Sequence, residues 1–425
     1  MKTSMAILFI CLMFLSCDLF LNKENTGEEE PGYTAQIVWD SGLFSNDYHS
    51  HTVDNGFVYF YERPPGYTQV NIYSLTKLDA ETGEFIWRSD LFSDIVFCQP
   101  IVIGGYVYVF LEPNLIACFD RETGGHTATA AVDIDGRELK FEWHVTAYGR
   151  YLYMGLCGSG RYLARVDADG ITHGDPETLQ ELMPEVLWEP ETGNYISAKP
   201  VAYDNAVYAS TYSPNATEPV ELAGFDMDSG ETVFHVTFGG PEDGDAPYPE
   251  TGGGVASNPM LIHEGILYYL NWSISAWDLK TGERLYRHVF TYDIPKPKWY
   301  NAIDSLQPLY HKGKIYYTSV ETYTANGYRN IHCIDAATGE LAWNAIAKDS
   351  PSLWSNPVIT YGRLYIPQHS GLRVYEPETG KLIGVDKTFC GANTGRNVLY
   401  EDYMICVRRD PDTGDGRLVA VYVGK

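Results

Sequence analysis

The residues best suited to chemistry in this 425-residue chain are scattered rather than gathered. His49 and His51 in YHSHT stand two apart, a spacing that on a strand sets both rings on one face and would begin a metal site. No third ligand accompanies them. Carboxylates cluster as Asp133 with Asp135, Asp167 with Asp169, and Asp410 with Asp412 and Asp415, each group beside a glycine. An EF-type calcium loop needs oxygen ligands in a fixed register around one glycine, and none of the three has it; Asp and Gly together are what hairpin turns require. Cys98, Cys118, Cys157, Cys333, Cys390 and Cys406 include no adjacent pair and no C-x-x-C, so zinc and thioredoxin-type chemistry finds no ligands. The expectation is no catalytic residue, no metal and no cofactor, with these side chains placed by architecture.

That architecture is written as a repeat. TKLDAETGEFIW (residues 76–87) and HCIDAATGELAW (residues 332–343) both set Thr-Gly three and four places after an Asp, and Trp eight places after it. The turn recurs at Asp79, Asp120, Asp226, Asp278, Asp335 and, with Glu, at Glu376; VDADG (residues 166–170) is one residue short. Its glycines lie 41 to 60 residues apart, the period of four-stranded propeller blades. Glycine supplies the positive φ that the tight turn demands, and the leading carboxylate can accept hydrogen bonds from turn amides. Positions −4 and −1 before the acid are apolar, while −2 is often small (Cys118, Gly224, Ala276, Cys333), which predicts a strand pressed against something close at that slot. Cys118 and Cys333 hold the same slot in different units and are not expected to meet as a disulfide.

A second signature precedes each turn: Pro, a short apolar run, a Gly or Asn turn, then an aliphatic residue and Tyr. Pro100, Pro200, Pro259, Pro308 and Pro357 begin it, with His51, His144 or Asn397 in the same slot elsewhere. Eight copies predict an all-β, eight-bladed propeller of four-stranded antiparallel blades, about 49 residues each. The last unit ends before a fourth strand, whereas QIVWDSGLF (residues 36–44) matches the fourth strand of unit one; the N-terminal strand is therefore expected to complete the last blade and close the ring. Residues 186–188 are read as the fourth strand of blade three, and the extra EPETG at residues 189–193 as a loop. Seven tyrosines in the second-strand slot (Tyr59, Tyr108, Tyr153, Tyr208, Tyr268, Tyr316 and Tyr365) are core positions. Tyr292, Trp299, Tyr300, Tyr323 and Tyr328 are read as loop aromatics suited to partner or glycan contact.

In such a wheel the first strand of each blade lines the central channel. The residues just before those strands, Ser50, Gln99, Trp143, Lys199, Asn258, Gln307, Asn356 and Arg396, form a ring at the channel mouth, mostly neutral hydrogen-bonding groups with two cations. A small polar ligand would suit it; satisfaction of loop amides and ordered water is the plainer use. The acidic loop at residues 239–254 feeds the same face as a lid or docking element.

Thirty basic residues against 56 acidic ones give a net charge of −26, which excludes nucleic acid and anionic lipid as partners bound by general electrostatics. At the N-terminus Lys2 precedes an apolar run over residues 5–15, too short to span a bilayer as a helix, that ends at FLSC with Cys17. The acidic, turn-rich residues 17–32 read as a tether to a single propeller domain over residues 33–425.

The run ending at Cys17 resembles a bacterial lipobox, which implies a signal peptide over residues 1–16, lipidation of Cys17 and a cell-envelope location on a membrane, facing periplasm or cell surface. The repeat of Asp-x-x-Thr-Gly with Trp resembles the pyrroloquinoline-quinone-like β-propeller repeat, across essentially all of the mature chain. Lipobox and eight blades together resemble the BamB family of envelope lipoproteins, which implies a non-enzymatic protein-binding scaffold in outer-membrane protein assembly. Quinone dehydrogenases of the same superfamily use an adjacent Cys-Cys disulfide, a calcium ion and a catalytic Asp, and no Cys-Cys pair stands in this chain. A small-molecule or glycan binder, or a degenerate quinoprotein, using the channel mouth is the alternative.

Overall fold

The computed structural model describes residues 31–45, 51–63, 72–95, 98–191, 195–196, 199–212, 219–238, 260–270, 273–289, 302–303, 308–321, 328–347, 356–368, 370–389, 397–409 and 416–424. Strands A to D come in chain order in blades one to seven. Blade one runs Thr52–Asp54, Phe57–Glu62, Ile72–Asp79 and Phe85–Arg88. The other first strands are Ile101–Ile103, Leu139–Tyr148, Val201–Tyr203, Met260–His263, Leu309–His311, Val358–Thr360 and Val398–Tyr400, making eight blades. Blade eight takes its fourth strand from the N-terminus: Gln36–Ser45 lies antiparallel to Gly416–Tyr422, pairing Gln36 with Tyr422 and Ile37 with Val421. The ring thus closes as its sequence anticipates.

Period-two alternation makes each blade two-faced. In strand B of blade one, Val58 and Phe60 join the apolar cluster shared with blade eight, whereas Tyr59 and Tyr61 join the one shared with blade two. One such cluster fills each of the eight seams. The seven slot tyrosines are all buried there. Each faces, directly across the strand pair, the −2 residue: Tyr108 pairs with Cys118, Tyr208 with Gly224, Tyr268 with Ala276 and Tyr316 with Cys333. That explains the small residues, since a Cβ on Gly224 would come within 2.5 Å of the Tyr208 ring. Blades one and three carry Lys77 and Arg165 at −2 instead. Their long stems run past the tyrosine, and their heads donate to the carbonyls of Arg121 and Met227 in the next blade.

The turns behave as the acid and glycine dictate. Asp79 Oδ1 accepts from the amides of Glu81 and Thr82 and from the Thr82 hydroxyl, and Gly83 sits at φ +72°. The same cage repeats at Asp120, where the Thr123 hydroxyl and amide hold the carboxyl below its usual range. The Trp eight places on docks on the turn of the following blade. Trp87 Nε1 donates to Arg121 O at 3.0 Å, and Trp343 Nε1 to Pro377 O at 2.8 Å. Trp39 of the closing strand does the same to Ala80 O at 3.1 Å. A Cβ on Gly83, Gly124 or Gly380 would enter those indole rings, so glycine is needed twice over.

Three blades lack an aromatic at that place: blade three sets Glu185 there, against Gly230 of the next turn, while blades two and seven each receive an added parallel segment. Leu179–Leu182 lies along His126–Val132 of blade two, where the slot is Ala128. Residues 31–33 bridge to Val385 of blade seven, where it is Gly384; a Cβ there would stand 2.7 Å from that of Tyr33. In both cases the next blade offers no standard turn: blade three has a capped 3-10 turn at Ala168–Gly170, and blade eight breaks its chain between strands C and D. Glu185–Trp188 is strand D of blade three, and Glu189 to Glu191 form no strand. Tyr328 corrects the loop expectation: it opens strand C of blade six, Tyr328–Asp335, because pairing with Glu321 extends that hairpin. Tyr292, Trp299, Tyr300 and Tyr323, and residues 239–254, lie outside the described residues.

Candidate functional site

Where strands A begin, at the expected channel mouth, cross-blade hydrogen bonds tie the blades together. The Thr52 hydroxyl donates to Pro100 O at 2.5 Å, tying blade one to blade two. His51 Nε2 lies 3.1 Å from Ile405 O of blade eight, and Asn397 Nδ2 donates to Asn356 O at 2.6 Å, tying blade eight to seven. The Cys98 thiol meets Val145 O of blade three at 3.7 Å. The Pro, His or Asn slot is therefore a linking position, which accounts for His51 without a metal.

Of the eight mouth residues, Asn356 is buried, and its Oδ1 has no hydrogen-bond partner. Gln99 and Lys199 are half-buried at the heads of blades two and four. Trp143 lies within strand A of blade three, Leu139–Tyr148. Ser50, Asn258, Gln307, Arg396 and the lipidation candidate Cys17 lie outside the described residues. Gln99, Lys199 and Asn356 thus stand two places before the first strands of blades two, four and seven, whereas Trp143 falls inside its own.

Sequence reasoning missed Glu142, one place before Trp143. It is 6% exposed with both carboxyl oxygens buried, and burial pushes its pKa up to about 8 against the pull of Arg161 and of weak hydrogen bonds from the Cys157 thiol and the Ile196 backbone. Two signals were legible: an acid inside the strand KFEWHV, and a glycine inside the partner strand LYMGLCG, the mark of a close approach.

The cysteines and carboxylates are structural. Cys98, Cys118, Cys157, Cys333 and Cys406 are buried and in no disulfide, and burial pushes the Cys118 and Cys406 thiols up to about 12, far from thiolate reactivity. Cys390 lies outside the described residues. Asp133 accepts from the Gly136 amide and Asp167 from the Asp169 amide, as turn residues do; residues 410–415 lie outside the described ones. Among the described residues no three His, Cys, Asp or Glu side chains converge to hold a metal ion, and no helix is long and apolar enough to cross a membrane.

Comparison with known proteins follows the same lines. The family model described as outer membrane protein assembly factor BamB matches residues 34–288. Among solved structures, BamB from Moraxella catarrhalis is 12% identical and aligns over 92% of this chain and 100% of that chain, with a TM-score of 0.58. The quinohemoprotein alcohol dehydrogenase from Comamonas testosteroni is 14% identical over 92% of this chain and 77% of that one, with a TM-score of 0.63. The computationally designed Ika8 protein is 10% identical over 93% and 100%, with a TM-score of 0.55. At such identities these likenesses speak for the fold alone. No curated protein matches the sequence. With eight blades, caged turns and the match over residues 34–288, the chain belongs to the BamB-like family of pyrroloquinoline-quinone-type repeat propellers.

Proposed function

We propose that this protein is a lipid-anchored, non-enzymatic scaffold of the bacterial cell envelope that binds a protein partner through the channel-mouth face, in outer-membrane protein assembly. The family match over residues 34–288 carries the reading. Three features support it: seams locked by Trp-on-turn docking, thiols buried away from reactivity, and a lipobox-like run ending at Cys17. A rigid wheel presents loops without moving them, which suits docking with little ordering cost. The net charge of −26 favours a partner with a basic contact surface.

The test is recovery of the tagged full-length chain from detergent-solubilised envelopes of its own host. Scaffold function predicts a stoichiometric envelope-protein partner that survives EDTA washing; recovery of the chain by itself contradicts it. A Cys17→Ala variant should leave the membrane fraction, and its retention there would remove the lipid anchor.

The buried, unpartnered Asn356 Oδ1 favours a second reading, a small polar ligand at the mouth. A thermal-shift screen with quinones and sugars tests it. Asn356→Ala should keep the melting temperature and abolish any ligand shift; absence of any shift in the parent chain retires the reading.

A further inference from the structure

Glu142 stands where blade three turns into its first strand. Pairing with strand B runs from Leu139 opposite Gly158 to Phe141 opposite Leu156, breaks, and resumes at Val145 opposite Met154. Residues 142–144 therefore bulge over Gly155 alone. Gly155 is what leaves space: a Cβ there would lie 3.1 Å from Glu142 Oε2, 3.2 Å from Glu142 Cβ and 3.2 Å from Ile196 Cβ. The carboxyl is turned into the seam between blades three and four with both oxygens buried, held only weakly by the Cys157 thiol and the Ile196 backbone.

A complementary donor stands near. Arg161 gives Nη1 to Gly158 O at 3.1 Å and Gly160 O at 3.0 Å, and its guanidinium lies 3.8 Å from the Tyr195 ring centre. Its Nε is buried with no partner. A buried acid and a half-buried cation whose Nε is unpartnered, with no ion pair between them, are arranged for an exchange. The groups around the carboxyl are Lys140 on its own strand, the Cys157 thiol on strand B, Arg161 at the start of strand C, and the backbone of Ile196 from the blade-four side.

We propose that Glu142 and Arg161 form a proton-controlled latch between two adjacent mouth positions. With Glu142 protonated, Arg161 stays over Tyr195 and the bulge is neutral. When the carboxyl loses its proton to solvent, the guanidinium moves onto the carboxylate and leaves the ring. That movement acts on the bulge, which carries Trp143, and on Tyr195–Ile196, the short strand that leads to Lys199. Burial that pushes the Glu142 pKa up to about 8 puts the exchange within reach of mildly alkaline conditions. Its bearing on binding rests on the mouth being the contact face; the latch itself is read on the protein alone, so the two fail separately.

Hydrogen exchange of the purified full-length chain, corrected for intrinsic rates, tests it from about pH 6.5 to about pH 9.5. The wild type should show residues 139–147 and 195–199 changing protection together, several-fold, with a midpoint near pH 8. Glu142→Gln and Arg161→Gln should each make both segments flat across that range. Matching melting temperatures of wild type and Glu142→Gln at the acidic end confirm that the variant is folded; should it not fold, Arg161→Gln and Arg161→Lys carry the test, the lysine retaining part of the response. A wild type without a coupled change, or a Glu142→Gln chain that keeps it, overturns the latch.

Discussion

At the scale of single residues, the repeated glycine answers two demands, and they can be separated. Gly124 and Gly282 both sit at φ +73°, a conformation that costs a substituted residue about 1–3 kcal/mol. A Cβ on Gly124 would lie 2.5 Å from the Trp87 ring, whereas one on Gly282 meets nothing within 4 Å. Gly124→Ala should therefore destabilise clearly more than Gly282→Ala in urea unfolding; equal losses would deny the docking. Glu142 gives a pH signature of known sign. Its folded pKa, about 8, lies above the ordinary 4.5, so its contribution is full below about 4.5 and is lost as pH rises through about 8. Relative to Glu142→Gln, the wild type should lose about 1.4 kcal/mol per pH unit across that window and then level off. Parallel stability curves for the two would contradict it.

At the scale of elements, strand order and turn chemistry were legible because both follow local rules: period-two alternation, an acid that cages amides, a glycine with positive φ. The tyrosine slot and its small −2 partner were legible as a pattern, but the reason needed coordinates, since Tyr208 and Gly224 are neighbours only across a strand pair. The parallel additions were not legible. Nothing local in Leu179–Leu182 or residues 31–33 distinguishes them from loop, and their place depends on a vacancy left by Ala128 or Gly384 in the neighbouring blade. The bulge at residues 142–144 was hidden likewise, because a His in the Pro slot reads as an ordinary strand start. The vacancy makes a prediction for the seam of blades seven and eight. Gly384→Val should displace residues 31–33, so that residues 31–45 lose exchange protection well before the other strands. Uniform loss across the chain would deny that this segment fastens the seam.

At the scale of the whole molecule, closure was readable in advance because a repeat that ends one strand short must borrow that strand from the other end. The Trp39 ring belongs to the borrowed strand and docks on blade one, so Trp39→Ala should cost about 3–5 kcal/mol and loosen the join that closes the ring. Loss comparable to an exposed substitution such as Val233→Ala would show that the join does not depend on it. What the wheel does was less legible than how it is made, since half of the expected ring lies outside the described residues. The claim that the mouth face binds a protein partner is tested most directly by photo-crosslinking in the host envelope. An unnatural photoreactive residue is placed at Gln99, Lys199 or Asn356 on the mouth, and at Val233 or Leu285 on the circumference. Scaffold function predicts crosslinks to one envelope protein from the mouth positions and none from the circumference; crosslinks from the circumference alone, or from neither, contradict it.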